Sequence, residues 1–124
     1  MTLYAFAANF NNVAGLLRLT PQPAGGGLVF TEWENSSLGL LVPQGRANSA
    51  FNYSYLPPSD FYSLLTQLSL SRSVTSRKGT FKLKDHETGY WLFWNGYINY
   101  PSFRRGLAHF ESVSFPITGL RELT

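Results

Sequence analysis

The chain has 124 residues, a length that suits one domain around one hydrophobic core and excludes a second domain. Charged residues make up 14% of it and aromatic residues 16%, so we expect a folded domain that exposes aromatic area, as components of assemblies do. The absence of cysteine excludes disulfides, thiolate zinc sites and cysteine nucleophiles. The net charge of +3 is the sum of −1 in residues 1–62 and +4 in residues 63–124, so the basicity lies in the second half of the chain.

Four apolar runs in the first half predict short strands, at residues 3–8, 13–19, 28–33 and 38–42. Segments rich in Asn, Pro and Gly separate them, at 9–12, 21–27 and 43–45. Strands at this spacing are typical of antiparallel sheets. A further strand over 50–56 alternates aromatic and polar residues, so we expect Phe51, Tyr53 and Tyr55 to face the core.

One short α-helix is predicted at about 59–68. The preceding Pro57 and Pro58 do not fit a central strand, and Ser59 or Asp60 is expected to cap the first turn. An apolar stripe at helical spacing is expected to face the sheet, and it consists of Phe61, Leu64, Leu65 and Leu68.

A hairpin is predicted with strands at 80–84 and 90–94 and a turn at 85–89. Its second strand is apolar on both faces, so one face needs cover from a second layer, the helix or another subunit. We expect Trp94 to lie in the core with Tyr90 and Leu92, and Trp91 to lie nearer an interface. The strand is expected to continue past Asn95 and Gly96 through a bulge.

After a predicted loop at 101–106, a final strand is expected at 107–117. Its alternation places Val113, Phe115 and Ile117 on one face.

The residues that could carry catalysis form no convincing set. Asp85, His86 and Glu87 are consecutive, so their side chains diverge, and they suit the tip of a hairpin better than an acid–base or metal site. His109 lies apart from them, and no nucleophile elbow or phosphate-binding loop is present. We therefore expect no enzymatic activity, no metal and no cofactor.

Basic residues cluster without an intervening acid at Arg72, Arg77, Lys78, Lys82 and Lys84. With Arg104 and Arg105, which lie close to Tyr100 and Phe103, they resemble the mixture of cations and stacking rings found in sites for single-stranded nucleic acid. Lysines also protect exposed strand edges, and arginines also pair with carboxylates of a neighbouring subunit, here those of Glu32, Glu34 or Glu111. Because a net charge of +3 is small, we expect these residues to face protein or water and do not expect nucleic acid as a partner.

Four segments resemble, in this order, the C-terminal layout of small tail proteins of tailed bacteriophages: LPPSDFYSLL at 56–65, TFKLKD at 80–85, WLFWNGYI at 91–98 and VSFPITGL at 113–120. The resemblance covers about residues 50–124. It implies a β-sandwich virion component of the tail-tube, distal-tail or baseplate-adaptor kind that assembles into rings through sheet edges and loops. Tube proteins of this kind usually carry a longer arm and often an acidic lumen, whereas this chain has compact loops and a basic second half. An adaptor or capsid-decorating (cement) role therefore stays open.

Taken together, the sequence predicts one mainly β domain, a two-sheet antiparallel β-sandwich or partly open barrel with one short helix. The predicted function is a structural virion protein that forms a ring or docks on a symmetric tail or baseplate; the alternative is a small β-barrel that binds single-stranded nucleic acid. The expected contact residues are Arg72, Arg77, Lys78, Trp91, Phe93, Tyr97, Tyr100, Phe103, Arg104 and Arg105. The expected partners are copies of the chain and other virion proteins, with no membrane.

We expect the protein to be made in the host cytoplasm and to end in the virion. Residues 1–10 lack the features of a secretory signal, and no stretch approaches the roughly 20 apolar residues of a membrane span.

Overall fold

The computed structural model describes residues 4–25, 28–30, 33–35, 41–43, 47–85 and 88–123. These residues form a short 3-10 helix, one α-helix and eleven strands. The bounds in chain order are β1 Ala5–Ala8, the 3-10 helix Val13–Gly15, β2 Leu17–Arg18, β3 Ala24–Gly25, β4 Val29–Phe30, β5 Trp33–Asn35, β6 Leu41–Pro43, β7 Ala47–Leu56, α1 Pro58–Gln67, β8 Ser76–Lys84, β9 Trp91–Asn99, β10 Ser102–Arg105 and β11 Phe110–Glu122.

Nine of the described strands form one antiparallel sheet, which curls into a half-barrel. Its order is β2-β1-β8-β9-β11-β7-β3, with β10 added to β11 and β4 added to β7. Strands β5 and β6 pair separately with each other. The fold is therefore mainly β with one short α-helix, as the sequence predicts.

The core lies between the concave face of the sheet and α1. Phe51, Phe81 and Phe115 are fully buried, from three different strands. The helix adds Phe61, Leu64 and Leu68 from its predicted stripe, with Leu65 partly buried. Alternation in β11 buries Val113, Phe115 and Ile117, which confirms that prediction.

Tyr53 brings one polar group into this core. Its hydroxyl donates a hydrogen bond to the carbonyl oxygen of Pro21 at 2.6 Å, and burial raises the pKa of the phenol above its usual range. A buried hydroxyl with a partner costs little, so the ring can fill the core.

Two predictions about the helix and its flanking strand are wrong. The helix begins after Pro57, with Pro58 in its first turn, and neither Ser59 nor Asp60 forms a side-chain cap. Tyr55 is 57% exposed. Within β11, Ser112 has a left-handed backbone with φ at 49°. The alternation is interrupted there and in the paired strand β7, where Leu56, opposite Phe110, is buried instead of Tyr55.

Strand β9 is continuous through Asn95 and Gly96, as expected, but it has no bulge against β8. The register runs unbroken from Ser76 opposite Asn99 to Lys84 opposite Trp91. The shift lies in β11, between Thr118 and Arg121. Gly96 is required for close packing: a Cβ there would lie 2.7 Å from Cδ2 of Leu120.

The predicted core position of Trp94 in β9 is confirmed. Trp94 is 4% exposed, and its indole N–H has no hydrogen-bond partner among the described residues. Leu92 packs against the core, whereas Tyr90 precedes the strand and is 70% exposed, so it does not share that face as predicted.

Two further segments differ from prediction. The run 13–19 is divided between the 3-10 helix and β2, because residues 9–12 fold back over the sheet before the chain pairs with β1. The segment 101–106, predicted as a loop, contains the strand β10. Strand β9 pairs with β11 only from Ile117 onward, so the edge of β11 at residues 110–114 is open to β10. The last strand begins at Phe110, and Leu107 lies fully exposed before it.

Candidate functional site

The ten predicted contact residues fall into separate places. Arg72 is exposed after α1, and Arg77 donates a hydrogen bond from Nε to the carbonyl of Ser69 at 3.0 Å. Trp91 is partly buried against Tyr4, with ring centroids 4.8 Å apart, and Tyr100 is partly buried beyond the end of β9. The remaining six divide between two surfaces, with Phe103, Arg104 and Arg105 on one and Lys78, Phe93 and Tyr97 on the other.

The first surface surrounds strand β10, and we call it the β10 edge; its exposed apolar residues are Tyr55, Tyr62, Phe103 and Leu107. Among the described strands β10 pairs with β11 alone, and all four of its residues are exposed. An unpaired strand edge presents free backbone donors and acceptors to another chain.

Stacked rings support one side of this edge. Phe61 of α1 stacks on Phe110 of β11 with centroids 4.1 Å apart. Phe103 meets both rings edge-on, at 5.1 and 5.2 Å, and Tyr62 packs beside them. The guanidinium of Arg105 lies 5.4 Å from the centroid of Phe110. The exposed rings are therefore held by a rigid base.

A polar network supports the other side of the edge. Glu111 accepts a hydrogen bond from Arg104 at 3.1 Å and bonds the ring of His109 at 2.8 Å. The bond to His109 and then that to Arg104 lower the pKa of the Glu111 carboxyl. Tyr55 lies over the His109 ring, with centroids 4.4 Å apart. Glu111 thus pairs with an arginine of its own chain, while Glu32 and the side chain of Glu34 lie outside the described residues.

The second surface is the convex face of β8 and β9 with its neighbours, and we call it the basic outer face. Residues directly opposite each other on adjacent strands share a face, as do residues two apart. Arg18 is opposite Ala5, which is opposite Lys82, and Lys82 is opposite Phe93. The same rule adds Lys78, Lys84, Tyr97 and, from β11, Arg121, and it places Trp91, opposite Lys84, at the end of this face.

The loop 9–12 lies across this face and is fixed there by hydrogen bonds to Thr80 and Asn95. The hydroxyl of Thr80, fully buried, accepts from the backbone N–H of Asn12 and donates to the carbonyl of Asn9, both at 2.9 Å. Oδ1 of Asn95 accepts from the backbone N–H of Asn11 at 2.9 Å. These bonds anchor the loop at both strands of the hairpin.

The loop delivers Phe10 to the basic outer face. Its ring meets Tyr97 edge-on, with centroids 5.6 Å apart, and Nζ of Lys78 lies 5.7 Å from its centroid. A cleft of about 400 Å³ opens beside the pair, lined by Phe10, Asn95, Tyr97, Gly119 and Arg121. A second cleft of about 500 Å³ lies at Arg18, Lys82 and Phe93, where Nζ of Lys82 is 5.8 Å from the centroid of Phe93.

Three members of this face, Phe10, Arg18 and Arg121, were not predicted from the sequence. Lys82 and Lys84 stand two residues apart in the predicted strand 80–84, which indicates a shared face, and the observed strand β8 begins early enough to add Lys78 to it. Phe10, Arg18 and Arg121 come from distant parts of the chain, and their place depends on strand order, which the sequence pattern does not specify.

The described residues contain no group of three His, Asp or Glu side chains that could hold a metal ion. Within the same ranges, no helix is long and apolar enough to cross a membrane. His86 and Glu87 of the predicted hairpin tip lie outside the described residues.

A comparison with family models, curated proteins and solved structures finds no match. The function is therefore argued from the two surfaces.

Proposed function

We propose that this chain is a non-enzymatic structural protein that assembles with copies of itself through the β10 edge. The observation that carries the proposal is that a strand edge with no partner among the described strands coincides with four large exposed apolar side chains, from Tyr55, Tyr62, Phe103 and Leu107. Monomeric domains usually protect edges and scatter such side chains.

The chemistry of the β10 edge suits a protein partner. Aromatic residues and arginine are enriched in the centres of interfaces, where they dominate the binding energy. Phe103 and Tyr62 are held by the rings of Phe61 and Phe110, so they lose little conformational freedom on binding. Added pairing along β10 would give a neighbour backbone hydrogen bonds as well as these contacts.

The geometry of the edge allows two arrangements. Two copies of β10 can pair antiparallel about a two-fold axis, or the edge can meet a different surface of the next copy. The heterologous contacts of the second arrangement close into rings when the rotation allows, and this is the arrangement we propose.

The setting we propose is the virion of a tailed bacteriophage, as part of the tail or baseplate or as a capsid-decorating protein. This part of the proposal is supported by the sequence resemblance over about residues 50–124. Ring assembly through a sheet edge is the behaviour that the resemblance implies.

Sedimentation velocity over a concentration series tests the assembly. The wild-type chain is expected to form a defined oligomer, and Tyr62→Ala with Phe103→Ala is expected to sediment as a folded monomer. Tyr90→Ala removes an even more exposed ring outside the edge and is the control, expected to assemble normally. A wild-type monomer up to the solubility limit, or equal loss of assembly in the control, contradicts the proposal.

A further inference from the structure

We propose that the basic outer face binds single-stranded nucleic acid. The proposal is separate from the assembly function, because its residues lie on the convex face of β8 and β9 and include none of the β10 edge.

The basic outer face carries a concentration of positive charge. Five cations project from this face, Arg18, Lys78, Lys82, Lys84 and Arg121, and they are half of the ten basic residues of the chain. The guanidinium of Arg121 has no hydrogen bond or ion pair within the described ranges. A cationic surface attracts the phosphate backbone and releases its counterions.

Acids are absent from this face as far as the described residues extend. Asp60 belongs to α1, and Asp85 lies in the turn after β8, where it accepts from Thr88. Glu111 is paired at the β10 edge, and Glu122 lies opposite Trp94, on the other face of the sheet. The net charge of +3, on which the sequence-based expectation depended, therefore hides a strong local excess of positive charge.

The basic outer face also carries aromatic rings on which bases can stack. Tyr97 is 43% exposed and Phe10 is 38% exposed, and Phe93 lies on the same face four residues before Tyr97. Four residues of strand span about 13 Å, so each ring can stack a separate base. Rings of this kind on an open sheet, flanked by cations, bind unpaired bases and do not fit the stacked interior of a duplex.

The identity of the cations distinguishes this face from a protein interface. Lysine is depleted in protein interfaces, whereas arginine is enriched. The basic outer face carries three lysines beside Arg18 and Arg121, whereas the β10 edge carries arginine without lysine. The two surfaces therefore suit different partners.

The test is fluorescence anisotropy with a labelled oligothymidylate of about 12 nucleotides, a length within the usual site size. Log affinity is expected to fall linearly with log salt concentration. Lys78→Ala with Lys82→Ala is expected to reduce that slope by about 1.4, at roughly 0.7 for each phosphate that is no longer neutralised. Arg72→Ala with Arg77→Ala removes the same charge outside the face, so it should leave the slope unchanged.

A second pair of variants separates the two surfaces. Tyr97→Ala is expected to weaken binding roughly tenfold because one base is no longer stacked. Tyr62→Ala removes a similarly exposed ring from the β10 edge and should not change nucleic-acid binding. Circular dichroism confirms the folding of each variant.

Three results would overturn the proposal. The first is the absence of binding at low salt. The second is an equal reduction of the slope in the Arg72 and Arg77 control, which would indicate attraction by net charge alone. The third is equal affinity for a polyglutamate peptide with no effect of Tyr97→Ala, which would assign the face to an acidic protein segment.

Discussion

Replacement of Thr80 by valine tests how the basic outer face is built. Valine keeps the shape of threonine but removes the hydroxyl that holds the loop 9–12. That hydroxyl accepts from Asn12 and donates to Asn9, and Thr80 is fully buried beneath the loop. The variant therefore leaves two backbone groups without their partner while the core packing stays the same.

The expected cost follows from the two hydrogen bonds. Each contributes about 0.5–1.5 kcal/mol net, so Thr80→Val is expected to lower the free energy of unfolding by about 1–3 kcal/mol. With a urea dependence of about 1–3 kcal/mol per molar for a domain of this size, the midpoint should fall by on the order of 1 M.

Urea denaturation followed by tryptophan fluorescence measures the effect. Thr88→Val is the matched control, since its hydroxyl donates to Asp85 in an exposed turn, and its free energy of unfolding should change by a few tenths of a kcal/mol at most. Because the loop carries Phe10 to Tyr97, Thr80→Val should also weaken oligothymidylate binding. An unchanged midpoint in Thr80→Val, or an equal decrease in Thr88→Val, would refute this account of the loop.

Three further predictions concern stability. Trp94→Ala should cost roughly 3–5 kcal/mol in urea denaturation because the ring is buried, and Trp91→Ala, which removes a half-buried ring, should cost clearly less. Gly79→Ala should lower the melting temperature, since the new Cβ would overlap the Phe6 ring and approach the carbonyl of Ala7 at 2.7 Å, and overpacking costs about 1–3 kcal/mol. Glu111→Gln should lower stability at pH 7, and its difference from the wild type should shrink as the pH falls below 4.5: a lowered pKa stabilises the fold above the ordinary value, and this stabilisation is lost as the carboxylate becomes protonated.

Each of these predictions has a contradicting result. A larger destabilisation for Trp91→Ala than for Trp94→Ala would reverse the faces of β9. A melting temperature of Gly79→Ala equal to that of the wild type would mean that the sheet accommodates the new Cβ without loss of stability. A difference between wild type and Glu111→Gln that grows toward pH 3 would have the wrong sign for a carboxylate stabilised in its charged form.

The elements that the sequence predicts well are those whose pattern is local. The stripe of α1 and the alternation of β11 each depend on one period, and the structure confirms their buried faces. The continuity of β9 follows from its apolar pattern on both sides of Asn95 and Gly96.

The elements that the sequence misses depend on distant partners. Strand β10 exists because β11 extends beyond the reach of β9, and Tyr55 turns outward where Ser112 adopts a left-handed backbone. Neither the length of β11 nor the φ of Ser112 has a signature in the neighbouring residues.

The two candidate surfaces could likewise be predicted only in part. Aromatic and basic residues could be selected from the sequence, but their grouping could not. Lys78 and Arg77 are neighbours in sequence and lie on opposite faces of β8, whereas Arg18 and Lys82 are far apart in sequence and lie in one row across the sheet. Strand order creates both surfaces.

Assembly through the β10 edge is tested by the mass of the purified protein in solution, measured by sedimentation equilibrium for the wild type and for the Tyr62→Ala, Phe103→Ala double variant. We expect a defined oligomer for the wild type and a folded monomer for the double variant. A monomeric wild type at every concentration, or a double variant that assembles as the wild type does, would contradict assembly through the β10 edge.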